Sequence, residues 1–353
     1  MKAAVWHGQK DVRIEDVPEP GHPPAAQVKV EVAWCGICGT DLHEYWSGPV
    51  YLPAEKPHPL TGVQTPVILG HELSGRVVEV GEGVKRVNVG DGVALCPIIG
   101  CLECRWCKAG FMGLCERVAF LGSSWHGGGF ARYLNVHEYM CYRLPGSVSD
   151  ETGAMVEPWA ASVRAILQAE VHPGDSVAIV GAGPIGLMVL QAAGIAGAGQ
   201  RIVIEPSLRR QGIAQLLGAT AVINPLESEV VEAVGRLTDG GGADVVVECV
   251  GIESTGQLAG RITRRRGRLV VMGVFPRPSP LDFTDLLFGE KTVMGSMGGY
   301  GQFERAIQMM ADKEFQADPM ISGKIELEDL VEKGFEELIQ HRERNLKILV
   351  SQE

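Results

Sequence analysis

The chain has 353 residues, long enough for two domains, and 45% apolar with 21% charged residues excludes a disordered polymer. Acidic residues outnumber basic ones, 43 to 32, and the formal net charge of −11 argues against a nucleic-acid surface, where basic stripes are expected. No run of about 18 apolar residues is present to span a membrane. Residues 1–7 carry no apolar core of signal-peptide length, so a cytoplasmic protein is expected.

Up to about residue 155 the pattern is one of short strands and turns. Residues 28–32, VKVEV, alternate strictly, as a half-buried strand does. Residues 35–43 follow, CGICGTDLH, with a thiol at Cys38, a hydroxyl at Thr40 and an imidazole at His43. Residues 47–66 are rich in proline and glycine and read as a long loop between two parts of one site. Beyond it, His71-Glu72 adds a nitrogen and an oxygen donor, and residues 74–81 and 90–95 read as strands punctuated by glycine. Cys38, His71 and a carboxylate could share one metal. Glu72 and Glu157 are both available as its third ligand, and a site with three protein ligands keeps a position open for chemistry.

Cys101, Cys104, Cys107 and Cys115 form a C-x2-C-x2-C-x7-C run, four soft ligands in one loop, which describes a closed tetrahedral zinc site. In a reducing compartment such clusters are metal ligands rather than disulfides. Cys35, Cys96, Cys141 and Cys249 read as small buried hydrophobes.

Near residue 157 the texture changes. Residues 159–169 have helical spacing, and residues 176–180, SVAIV, make an apolar strand. Further strands at 201–204, 221–223, 243–247 and 268–272 alternate with helices, which predicts a parallel sheet covered on both faces. Gly181-Ala182-Gly183-Pro184-Ile185-Gly186 follows the first of these strands and opens a helix. Glycines there permit a tight turn and let the backbone approach a pyrophosphate, while the helix N-terminus favours its negative charge. About 20 residues on, Glu205 ends the next strand, where a carboxylate accepts from a ribose 2′-hydroxyl and repels a 2′-phosphate. NAD is therefore expected over NADP, although Arg209 and Arg210 lie just beyond. Val250 and Gly273 complete the candidate cofactor contacts of this half.

Taken together, residues 38–43 and 70–72, the four-cysteine loop and residues 181–186 resemble the zinc-dependent medium-chain alcohol dehydrogenases over essentially the whole chain. Tyr45, residues 48–50 and 57–62, and residues 156–158 look most like the 2,3-butanediol dehydrogenases, with sorbitol and threonine dehydrogenases as near neighbours. The resemblance implies an α/β protein: a Rossmann doubly wound parallel sheet at 158–298, a β-rich GroES-like catalytic domain at 1–157, and a return of 299–353 to that domain. It implies two zinc ions per subunit, one structural on the four cysteines and one catalytic on Cys38, His71 and Glu157. Glu157 stands where the simple pattern has a second cysteine, and in related polyol enzymes Glu72 takes that place.

The implied reaction is NAD-linked oxidation of a secondary alcohol or vicinal diol to a ketone, and the reverse. Thr40 and His43 would carry the proton, with Glu72 beside them. Lys347 corresponds to a pyrophosphate contact near the C-terminus, and Tyr45, residues 47–66 and Trp125 are expected to wall the substrate pocket. A homodimer or homotetramer acting on a small molecule is expected, with neither nucleic acid nor membrane as partner. The competing readings are a sorbitol, polyol or L-threonine dehydrogenase, a zinc-independent quinone or enone reductase, and a non-catalytic NAD- and zinc-binding regulatory protein.

Overall fold

The computed structural model describes residues 1–352, which divide into two compact units. The first comprises Met1–Glu157 with Tyr300–Lys313 and Ala317–Glu353, and the second Pro158–Gly299 with Glu314–Gln316. Among the described residues, no helix is long and apolar enough to cross a membrane.

The first unit is built on a seven-stranded sheet. Its strands run Cys141–Arg143, Gly92–Leu95, Glu72–Val80, Gln27–Gly36, Lys347–Ser351 and Ile321–Glu326, and Tyr133–His137 also pairs with Gln27–Gly36. The alternation in Gln27–Gly36 shows directly in its burial: Val28, Val30 and Val32 turn into the core. That core also takes Leu69, Leu73, Phe130, Leu134 and Phe335. The last strand pairs antiparallel with the end of Gln27–Gly36, setting Leu349 opposite Gly36, and Gly36 also faces Glu72 on the other side. Residues far apart in the chain, Ile37, Glu72 and Lys347, are thereby set side by side.

The second unit is a six-stranded parallel sheet. Its order is Ala221–Ile223, Gln200–Ile204, Ser176–Val180, Ala243–Glu248, Thr263–Val271 and Thr292–Gly295. In chain order within this sheet that is 3-2-1-4-5-6, the doubly wound arrangement in which ligands lie beyond the C-terminal strand ends where the order reverses. The reversal falls between Ser176–Val180 and Ala243–Glu248. Every residue of Ser176–Val180 is buried, as a strand covered on both faces requires.

Candidate active site

The helix Gly39–Ser47 begins at Cys38, and its first turn organises the donors. Asp41 is buried; its Oδ2 accepts from the Cys38 backbone N–H at 2.9 Å and its Oδ1 lies 3.5 Å from His71 Nδ1. An acid three residues after the capping position is the capping-box pattern, so the element that starts the helix also orients the histidine. Ligand atoms of Cys38, His71 and Glu72 all lie within 4.8 Å of one another. Thr40 Oγ1 is 3.2 Å from His71 Nε2, and His43, one turn further along, is exposed. Burial works against the His71 imidazolium, but Asp41 and Cys38 outweigh it and hold its pKa well above the usual value.

Around this group the charges are mostly negative, with one buried cation. Lys347 Nζ donates to Glu72 Oε2 at 2.5 Å and to the Ile37 carbonyl at 2.8 Å, and both charged side chains are almost fully buried. Burial opposes the ammonium, and Glu72 more than offsets it, so the Lys347 pKa is raised. A Cβ on Gly36 would stand 2.5 Å from Glu72 Oε2, so this ion pair needs glycine there. Glu157, in the first turn of Val156–Gln168, has its carboxyl pushed up to about 7 by burial, with Glu72 and Asp41 adding to the rise and His71 and Lys347 opposing it.

The four cysteines of residues 101–115 likewise bring their sulfurs within 4.8 Å of one another. A tetrahedral zinc with sulfur bonds near 2.3 Å needs sulfurs about 3.8 Å apart, so small adjustments complete the site. Backbone N–H groups of Cys101 and Arg117 point to Cys115 Sγ, and that of Cys104 to Cys101 Sγ, at 3.3–3.4 Å. Such bonds favour thiolate, and the Cys101 thiol is pulled down to about 6 mainly by backbone donors.

In the second unit Gly181 has φ +95°, a left-handed conformation in which a side chain is strained. A Cβ on Gly186 would lie 1.9 Å from the Gly181 carbonyl oxygen, whereas one on Gly183 would meet nothing within 4 Å. Gly186 is thus fixed by helix packing, and Gly183 marks the open side where a phosphate could approach. The helix Pro184–Ile195 has no side-chain cap, which leaves its first N–H groups for an anion. Glu205 is buried, accepting from Ala182 N at 2.7 Å and Ser207 N at 2.9 Å, each through a different oxygen. Arg210 lies in the first turn of Leu208–Leu216, and Val250 and Gly273 follow the fourth and fifth strands.

Residues 184–312 match the family model described as zinc-binding dehydrogenase, and residues 24–146 that described as alcohol dehydrogenase GroES-like domain. The chain is 41% identical to a (R,R)-butanediol dehydrogenase of Bacillus subtilis, covering 99% of each chain, and 32% identical to a sorbitol dehydrogenase of the same species, covering 99% and 97%. The crystal structure of 2R,3R-butanediol dehydrogenase from Bacillus subtilis superposes with a TM-score of 0.93 over 99% of both chains. The chain belongs to the zinc-dependent medium-chain alcohol dehydrogenases. Zinc and a nicotinamide cofactor are the groups this alcohol dehydrogenase takes, and both donor sets described above fit zinc: a thiolate, an imidazole and a carboxylate in a negative field, and four sulfurs in a closed loop.

Of the two carboxylates expected as third ligand, Glu72 has a donor atom within the Cys38–His71 group, and Glu157 is not among the residues whose donor atoms lie that close. Two other expectations for this alcohol dehydrogenase need correction. Lys347, expected at the pyrophosphate, has its ammonium committed to Glu72 and Ile37 in the core. Tyr45, expected on the pocket wall, is a core residue: its ring lies 5.3 Å from that of Phe335 and its hydroxyl donates to Glu336 at 2.7 Å. Asp41 is not among the residues expected from sequence, and its one usable signal there is an acid three positions after Cys38. The buried cysteines behave as expected at Cys35, Cys96 and Cys141, while Cys249 is only partly covered.

Proposed function

We propose that this alcohol dehydrogenase interconverts a vicinal diol of the 2,3-butanediol kind and its hydroxyketone, with NAD as hydride acceptor. The observation that carries the reaction class is the Cys38–His71–Glu72 donor group with the Thr40 hydroxyl at its edge. The substrate class rests on the 41% identity to (R,R)-butanediol dehydrogenase along the full chain. In this reading Cys38, His71 and Glu72 hold the catalytic zinc, which when bound acts as a Lewis acid on the alcohol oxygen. Glu157 stands beside them as a carboxyl group able to exchange a proton near neutral pH. Asp41 keeps His71 oriented, Lys347 keeps Glu72 from swinging away, and Thr40 takes the substrate hydroxyl proton toward exposed His43.

The turn at 181–186 receives the pyrophosphate, and Glu205 receives the ribose diol, which favours NAD over NADP. When bound there, the nicotinamide would supply the hydride acceptor for the carbinol carbon, with one proton released for each alcohol oxidised. The four cysteines hold the structural zinc. A cytoplasmic homodimer or homotetramer completes the reading, and the exposed edge strand Thr292–Gly295 supports assembly.

The test is NAD reduction by purified enzyme offered the 2,3-butanediol stereoisomers, sorbitol, L-threonine and simple primary alcohols. The highest kcat/KM is expected for a butanediol isomer. Sorbitol preferred over every butanediol isomer would move the assignment to the polyol enzymes, and turnover of none would leave the non-catalytic reading.

A further inference from the structure

The helix Gly39–Ser47 buries two carboxylates. Asp41 serves its first turn, and Glu44, only 3% exposed, serves the segment that follows its end. Glu44 Oε2 accepts from Val50 N at 2.8 Å, and Oε1 accepts from Tyr51 N at 2.6 Å. The Glu44 carbonyl accepts from Gly48 N at 3.1 Å and from the Trp6 indole at 2.9 Å. A Cβ on Gly48 would lie 2.6 Å from Glu44 Oε2, so glycine there lets the carboxylate curl over the helix end. Leu52, next in the chain, is buried in the core of this unit. The bend at residues 48–52 is thus fixed at both ends.

The position is an unfavourable one for an acid. Buried carboxylates are normally paired with a cation, and among the described residues Glu44 has only backbone N–H groups for its side chain. The last turn of a helix carries partial negative charge, which opposes it further. An apolar residue would fill the place at lower free energy. What the two charge-assisted bonds secure is the backbone of Val50 and Tyr51. The side chains of these residues are 48% and 50% exposed, with Trp46 on the helix 46% exposed. Glu44 lies one turn beyond Thr40 on the same helix face, and Thr40 is the hydroxyl at the edge of the Cys38–His71–Glu72 group. The backbone that Glu44 holds is therefore no more than about two turns, about 11 Å, from Thr40. A four-carbon diol anchored at the Thr40 hydroxyl, together with the Tyr51 side chain, bridges that interval.

We propose that Glu44 is a positioning residue for the substrate: it fixes the bend at 48–51 so that Val50 and Tyr51 form an apolar wall against the methyl group at the far end of the diol. The proposal rests on the diol reading above and names the residues that read the end remote from the metal group. The same wall works against sorbitol, whose corresponding carbons carry hydroxyl groups that would be buried without partners.

The test is steady-state oxidation by the zinc-loaded enzyme of its preferred 2,3-butanediol isomer and of 1,2-propanediol to hydroxyacetone, a substrate that lacks only that methyl group. Wild type is compared with Glu44→Ala, Glu44→Gln and Tyr51→Ala, with zinc content and the KM for NAD followed alongside. One methyl group in an apolar pocket is worth about tenfold or more in kcat/KM, and wild type is expected to prefer butanediol by that factor. Glu44→Ala is expected to shrink the preference below about threefold, through a higher butanediol KM more than a lower kcat, at unchanged zinc content and KM for NAD. Glu44→Gln keeps one acceptor for the two N–H groups and should fall between. Tyr51→Ala, at an exposed side chain, should shrink the preference as well. A wild type without the preference, a Glu44→Ala variant that keeps it, or one that loses both substrates by the same factor overturns the proposal. If Glu44→Ala does not fold, Tyr51→Ala decides, and a preserved preference there overturns the wall. A wild-type enzyme that oxidises neither diol would sink the diol reading itself, a result distinct from variants that keep the preference.

Discussion

An ammonium as deeply buried as Lys347, bonded to Glu72 and to a backbone carbonyl, cannot also neutralise a pyrophosphate. Removing one partner of a buried pair leaves the other charge uncompensated, at about 3–5 kcal/mol. Lys347→Met is therefore expected to lower the unfolding free energy by about that amount and to leave the NAD dissociation constant unchanged. Weaker NAD binding at full stability would return Lys347 to the cofactor. Asp244 illustrates a different kind of carboxylate. Burial raises its pKa, but the Ser176 hydroxyl and N–H and the Arg264 guanidinium together bring it below the ordinary 3.8. A lowered carboxylate stabilises the fold at pH above its unfolded value, and that contribution fades as pH falls through the folded value. Asp244→Ala should thus cost about 1–3 kcal/mol at neutral pH, with the gap to wild type narrowing below pH 3.8 in denaturant titrations. A gap that stays constant down to acid would show that packing, not charge, is lost.

At the scale of elements, the strand Ser176–Val180 and helix Pro184–Ile195 act as one unit because Gly186 lets the helix start against the Gly181 carbonyl. Gly186→Ala places a methyl 1.9 Å from that oxygen, so the helix must move away from the turn. Weakening of NAD binding by about tenfold or more, with about 1–3 kcal/mol lost in stability, is the expected outcome of calorimetry and unfolding curves. Unchanged NAD binding would show that the turn does not set the phosphate site. The glycine turn and the four-cysteine loop were readable from sequence because their geometry is local. Spacing within about fifteen residues states which atoms can meet.

For the whole molecule, the two-part α/β architecture and its parallel sheet followed from periodicity, since fully apolar strands between helices admit few other arrangements. The details of the metal site did not follow. Glu72 meets Lys347 across 275 residues and Tyr45 meets Glu336 across 291, and only the pairing of the last strand with Gln27–Gly36 brings the first of these pairs together. That is why the sequence left Glu72 and Glu157 open as ligands and put Tyr45 on a pocket wall.

The central claim is that an open zinc on Cys38, His71 and Glu72 performs the oxidation while the four-cysteine zinc only holds structure. The most direct measurement is metal content beside NAD-linked butanediol turnover in wild type and in Cys38→Ser. The account predicts that wild type carries two zinc ions per chain and that the variant keeps one, binds NAD normally and loses turnover. A variant that lacks that zinc and still oxidises the diol at the wild-type rate would contradict it.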